Sequence, residues 1–186
     1  RVSIDEKKDA YDTAIWLART DGSEPPRAIT RGIRDTSPRW SPDGRRLAFV
    51  RSVEKDGKPQ PAQIHLMAMA GGEPWVITDI PRGAGNPEWA PDGKRVIYIQ
   101  DVRPAPREVW ILPIDGSAEP RRLVEIEGDV RQAVLAPDGR SLVAARWVSG
   151  APNLELVRVP LEATIAALAV LRTLDPAAPK IVAFES

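Results

Sequence analysis

No cysteine occurs among the 186 residues, which excludes disulfides and thiolate metal sites. Histidine appears once, as His65, so imidazole ligands are too few for a zinc site. There is no net charge, because Lys+Arg 26 balances Asp+Glu 26. Binding to nucleic acid or to an anionic membrane would call for an excess of positive charge, so neither partner is expected. No apolar run is long enough to span a bilayer, and no leader segment is visible, although the chain begins at Arg1 in mid-pattern. The Gly-x-Ser-x-Gly pentapeptide of a nucleophile elbow is missing. The glycine pieces Gly71-Gly72 and Gly83-Ala84-Gly85 lack the Lys-Ser/Thr of a phosphate loop and read as turns. Carboxylates do not fall at calcium-loop spacing. No cofactor, no metal site and no catalytic residue is therefore expected in this chain.

What the chain does have is a tripeptide used three times. Pro42-Asp43-Gly44, Pro91-Asp92-Gly93 and Pro137-Asp138-Gly139 each follow a small residue and precede a basic residue and a short apolar run. The steps between copies are about 49 and 46 residues, a spacing that marks repeat architectures. Proline presets φ at the first central turn position, aspartate accepts from nearby backbone N–H groups, and glycine takes the left-handed conformation. These nine residues are read as structural turns joining antiparallel strands, which makes the three aspartates poor candidates for catalytic acids.

Each turn sits within a recurring set of strands. In one unit Pro38-Arg39-Trp40 precedes the turn, residues 47–50 follow it, and further strands fall at 64–69 and 75–78. The next unit gives Pro87-Glu88-Trp89, then 96–99, 109–114 and 121–124. The third gives 133–135, 142–145 and 154–159. An earlier unit is present as its second half only, at 14–18 and 27–30 around the turn Asp21-Gly22-Ser23. Four short antiparallel strands per repeat is the content of one propeller blade. The expected fold is all-β: a partial β-propeller of about three and a half four-stranded blades. Its divisions are 1–36 as the second half of a blade, 37–85, 86–131 and 132–175 as blades, and 176–186 as the start of a further one. A short helical insertion is expected near 161–171, from Leu161, Ile165, Leu168 and Leu171 at helical spacing. Residues 1–4 read as the end of a strand, and 5–12 and 54–61 as exposed loops.

The tryptophans keep the same register. Trp40 and Trp89 stand just before their turns, while Trp16, His65, Trp110 and Glu155 share one position of the third strand. Trp16, Trp40, Trp89 and Trp110 are accordingly assigned to packing between blades, where large rings fill the gaps between twisted sheets. By the same token His65 is a packing or edge residue rather than part of a catalytic relay. Glu125, Glu127 and Asp129 read as a solvated acidic connection, and Arg45-Arg46 and Arg121-Arg122 as solvent-facing. An arginine facing a propeller channel could hold a peptide carboxylate with two parallel hydrogen bonds.

The run Ser37-Pro38-Arg39-Trp40-Ser41-Pro42-Asp43-Gly44-Arg45-Arg46-Leu47-Ala48-Phe49-Val50 resembles the repeat of TolB-type propellers. The same repeat occurs in the N-terminal propeller of prolyl-oligopeptidase-type serine peptidases, including the acylaminoacyl-peptidase branch. The opening is similar to that branch, with a charged loop containing Tyr11, then Ala14-Ile15-Trp16-Leu17 and Asp21-Gly22-Ser23. The resemblance covers most of residues 1–159 and implies a non-catalytic propeller that restricts access to a separate α/β-hydrolase domain. The implied partners are the remaining blades, that hydrolase domain and a peptide substrate. The alternative implied by the same repeat is a TolB-like binding module that scaffolds protein–protein contacts. A peptidase would place the chain in the cytoplasm, a TolB-like module in the periplasm.

Overall fold

A computed structural model describes residues 2–5, 10–150, 153–161 and 180–181. The strands run β1 (Val2–Asp5), β2 (Ala10–Thr13), β3 (Trp16–Leu17), β4 (Arg27–Ala28), β5 (Asp35–Trp40) and β6 (Arg46–Arg51). They continue with β7 (Glu54–Lys55), β8 (Lys58–Pro59), β9 (Gln63–Ala68), β10 (Trp75–Val76), β11 (Ala84–Trp89) and β12 (Arg95–Gln100). The last are β13 (Glu108–Pro113), β14 (Arg121–Val124), β15 (Asp129–Leu135), β16 (Ser141–Trp147), β17 (Glu155–Pro160) and β18 (Lys180–Ile181).

Three sheets are four-stranded and wholly antiparallel, in the orders β5-β6-β9-β10, β11-β12-β13-β14 and β15-β16-β17-β18. Before them stands a narrow pair, β3-β4, the outer half of an earlier blade. The chain is thus an all-β partial propeller of three full blades and part of a fourth.

The middle strands explain why the blades stack. Strand β6 reads Arg-Leu-Ala-Phe-Val-Arg and β12 reads Arg-Val-Ile-Tyr-Ile-Gln, with four consecutive buried residues in each. A strand buried on both faces carries an unbroken apolar run rather than an alternation. Alternate residues serve different neighbours. Leu47 and Phe49 pack with Ile15 of the preceding half-blade, whereas Ala48 and Val50 pack with Trp89, Val96 and Tyr98 of the following blade. Likewise Val96 and Tyr98 face back, while Ile97 and Ile99 meet Leu142 and Ala144 of the third blade. Burial pushes the Tyr98 phenol up to about 12. On the far side of the third blade, Val134, Trp147 and Leu154 are exposed.

Three differences from the sequence-based expectation stand out. Residues 10–13 form β2, paired with β1 from Val2↔Thr13 to Asp5↔Ala10, where an exposed loop is expected. The segment 54–61 contains a second small hairpin, β7-β8. The β7-β8 ribbon is polar, Glu-Lys against Lys-Pro, and an apolar-periodicity criterion cannot register it. Strand β18 pairs with β17 (Leu156↔Ile181, Val157↔Lys180), so it completes the third blade instead of opening a further one. Strand type is a local property, but the choice of partner is not. The expected helical insertion falls on residues outside the described ones apart from Leu161, and no helix occurs among the described residues. None is therefore long and apolar enough to cross a membrane.

Candidate functional site: the loop rim and the interblade cleft

Antiparallel order sorts the connections onto two rims. The three Pro-Asp-Gly turns and the turns after β9 and β13 share one, the turn rim. The crossings between blades and the connections β6-β9, β12-β13 and β16-β17 share the other, the loop rim.

On the turn rim the three repeats are superimposable in their bonding. Gly44, Gly93 and Gly139 have φ of 67°, 64° and 66°. Their N–H groups donate to the carbonyls of Ser41, Ala90 and Ala136 at 2.9, 2.9 and 2.8 Å. The Oδ1 atoms of Asp43, Asp92 and Asp138 accept the N–H groups of Arg45, Lys94 and Arg140 at 3.0, 2.9 and 2.8 Å. The Ser41 hydroxyl and the Arg45 N–H hold the Asp43 carboxyl below its ordinary range. Pro42, Pro91 and Pro137 are exposed at the turn tips. Each aspartate is occupied by its own turn, and the three do not converge.

The tryptophans divide. Trp89 is buried and its Nε1–H donates to the Arg39 carbonyl of the preceding blade at 3.0 Å. Trp110 is partly buried against the same interblade cluster, its Nε1–H donating to Glu108 at 3.0 Å. Trp16 and Trp40, by contrast, are 38% and 49% exposed, a departure from the packing assigned to them. For Trp40 the cause is the sheet in front: β3-β4 is two strands wide, so among the described residues no inner strand stands where Arg39 stands for Trp89.

The loop rim is where charges gather. Asp35, with a fully buried side chain, accepts the Arg51 guanidinium through two bonds, Nε at 2.6 Å and Nη2 at 2.8 Å. Asp129 accepts the backbone N–H of Arg107 at 3.0 Å and its guanidinium at 2.9 and 2.8 Å. These bonds pull the Asp129 carboxyl down to about 2. Arg131 adds a single contact to Asp129 at 3.1 Å. Asp101 binds Arg103, and Arg82 lies within electrostatic reach of it. Four arginines thus surround two aspartates, leaving guanidinium N–H groups on Arg82, Arg103 and Arg131 for an incoming carboxylate. Across the inner strands Arg39 meets Glu88 at 3.0 Å, and the Asn86 side chain donates to the Arg131 carbonyl at 3.1 Å.

Beside Arg107 a cleft of about 230 Å³ opens between the second and third blades. Val109, Val124 and Val130 form its apolar floor, and Arg107, Arg122 and Glu127 stand on its walls. Glu125 and Glu127 are highly exposed and reach Arg122 and Arg146 only loosely, at 3.7 and 3.9 Å, as a solvated connection would. His65 stacks on Phe49 with centroids 5.7 Å apart, and its Nδ1 lies 3.3 Å from the Gln63 carbonyl. Burial lowers its pKa. It shares no hydrogen bond with a serine or a carboxylate, so no nucleophile-activating relay forms among the described residues. Those residues also contain no group of three or more His, Asp or Glu fit for a metal ion. The arrangement can hold and orient an anionic, partly apolar ligand; it offers no group to attack one. Sequence reasoning did not find the Arg107–Asp129 pair, because its two members come from different blades.

No protein-family model matches the chain. Among curated proteins, an uncharacterized peptidase, YuxL of Bacillus subtilis (strain 168), is 45% identical over 83 residues, covering 43% of this chain and 12% of that protein. The Tol-Pal system protein TolB of Bordetella pertussis (strain Tohama I) is 36% identical over 140 residues, covering 75% of this chain and 31% of that protein. Among solved structures, a TolB of Agrobacterium tumefaciens superposes with a TM-score of 0.67 at 19% identity, covering 81% of this chain and 54% of that one. The β-propeller domain of the trilobed protease from Pyrococcus furiosus gives 0.53 at 17% identity, covering 70% and 40%.

The chain is built from TolB-type β-propeller repeats.

The two solved structures speak for the fold alone. The chain spans well under half the length of the two curated relatives, 12% and 31%. A TolB-type blade is therefore established here, while the role of the protein that carries it has to be argued.

Proposed function

We propose that these blades are part of the access-controlling propeller of a serine peptidase of the acylaminoacyl or prolyl-oligopeptidase type. The observation that carries this reading is the 45% identity to the peptidase YuxL over 83 residues, denser than the match to TolB. The exposed apolar face of the third blade would receive a further blade, and a separate α/β-hydrolase domain would supply the serine nucleophile. Selection would be steric: an extended peptide passes the ring and a folded protein does not. The arginine-rich loop rim suits this role, since a short peptide presents a terminal carboxylate that Arg82, Arg103 or Arg131 can bind.

The test uses the intact polypeptide. An acetyl-alanine anilide and a labelled folded protein are offered as substrates, and a fluorophosphonate probe reports a reactive serine. Labelling together with hydrolysis of the small substrate alone is the expected result. A polypeptide that neither labels nor hydrolyses the anilide would overturn the proposal.

A second reading, a TolB-like binding module, is favoured by one observation: the TolB match extends over 75% of the chain, against 43% for the peptidase. It would give a negative result with both substrates and a stable complex with a partner protein.

A further inference from the structure

In two other blades the outer strand begins with an arginine where β10 begins with a tryptophan. Arg27-Ala28 in β4 and Arg121-Arg122 in β14 occupy the positions that Trp75-Val76 occupy in β10; Arg27, Trp75 and Arg121 sit opposite Leu17, Leu66 and Ile111. The fold therefore does not call for large apolar residues at this place. Yet Trp75 and Val76 are there, 41% and 53% exposed. Adjacent exposed apolar groups of this size, with arginine at the Trp75 position of two equivalent blades, mark a contact surface.

The surroundings say what kind. Strand β10 is the edge of its sheet, paired with β9 only. Ile77 donates its N–H to Ile64 on the inner side at 2.9 Å. By the alternation of an antiparallel ladder, Val76 turns its N–H and C=O toward the free edge. Between this edge and the β13-β14 turn of the next blade runs a groove of about 430 Å³. Its lining includes Trp75, Leu112, Pro113 and Pro120, with two carboxylates, Asp79 and Glu119, and no lysine or arginine. Neither Asp79 nor Glu119 takes part in a hydrogen bond or an ion pair among the described residues.

We propose that this groove beside β10 binds an extended peptide segment that alternates apolar and basic side chains. The segment would add a strand to the free edge of β10, place an apolar side chain against Trp75, and set a Lys or Arg between Asp79 and Glu119. Charge complementarity selects this occupant over an acidic one. The Trp75 and Glu119 end of the site lies on the turn rim, Asp79 stands in the crossing from β10 to β11, and the site stands whether or not the parent polypeptide is a peptidase.

The experiment titrates the intact polypeptide into fluorescently labelled acetyl-Val-Lys-Val-Lys-Val-amide and follows anisotropy. Saturable binding below about 1 mM is expected. Trp75→Arg and Val76→Arg, residues that β14 already tolerates at these positions, should each weaken it about tenfold with an unchanged far-UV spectrum. Glu119→Lys should weaken it as well, most strongly at low salt. A probe N-methylated at the central valine should fail to bind, because strand addition needs that amide. Four results would each overturn the proposal: no saturation below about 1 mM, equal binding of the Val/Glu counterpart, equal binding by Trp75→Arg, or a dimer in sedimentation that Trp75→Arg dissolves. The last would make a second copy of the chain the occupant.

Discussion

Gly128→Ala and Gly44→Ala make a matched pair of perturbations, and they should differ sharply in cost. Both glycines have positive φ, 92° and 67°, so both alanines bear backbone strain. At Gly44 nothing lies within 4 Å of the added Cβ, and the strain of about 1 kcal/mol is the whole effect. At Gly128 the Cβ falls 2.6 Å from the Trp147 carbonyl oxygen and 3.1 Å from Cγ2 of Val148. That oxygen cannot easily withdraw, because Trp147 is held opposite Asp129 in the β15-β16 ladder. Forcing a methyl into a packed site adds about 1–3 kcal/mol, so the Gly128 variant should lose about 2–4 kcal/mol in all. Urea unfolding of the intact polypeptide, followed by tryptophan fluorescence and by far-UV dichroism, gives both values by linear extrapolation. Equal midpoints for the two variants would refute the steric argument and with it the close approach of the crossing 125–128 to the end of β16.

Asp35→Ala should destabilise by about 3–5 kcal/mol, because it strands the Arg51 guanidinium beside Phe49; a double change to Asp35→Leu with Arg51→Met should recover much of this in the same urea assay. The Asp129 carboxyl is depressed to about 2, so the stability it contributes is complete above the ordinary carboxylate range and is lost as pH falls from about 4 through 2. Asp129→Asn should accordingly remove about 1 kcal/mol at pH 7 and almost nothing at pH 2, with unfolding free energies at the two pH values as the check. Trp89→Phe should cost about 1 kcal/mol for the bond to the Arg39 carbonyl, whereas Trp40→Phe should leave the thermal midpoint nearly unchanged.

Blade architecture was open to sequence reading because its causes are local. A turn such as Ser41-Pro42-Asp43-Gly44 closes within its own residues, and the doubly buried runs of β6 and β12 advertise themselves as apolar stretches. Strand β14 has the bounds that the sequence pattern predicts. What escaped depends on neighbours far along the chain. Arg107 and Asp129 are 22 residues apart and belong to different blades, so nothing in either segment announces the pair. The pairing of β18 with β17 spans an even longer gap. Trp40 and Trp89 occupy equivalent positions, yet one is exposed and one buried, because the difference lies in the sheet each one faces. Trp75-Val76 could have been flagged from sequence, by comparing Arg27-Ala28 and Arg121-Arg122 at the same place in the repeat.

The first two full blades each hand one set of residues backward and a different set forward; in the first, Leu47 and Phe49 go to its predecessor and Ala48 and Val50 to its successor. Such a junction is head-to-tail, never self-complementary, so a blade has a front and a back in the way a tile in a closed arcade does. Removing or inserting a whole repeat leaves each surviving joint with the same kind of partner. Inserting a single residue into β6 does the opposite: it exchanges front for back along the rest of that strand and spoils two joints at once. The lineage of such a ring is therefore free to change its number of blades and constrained against slipping within one.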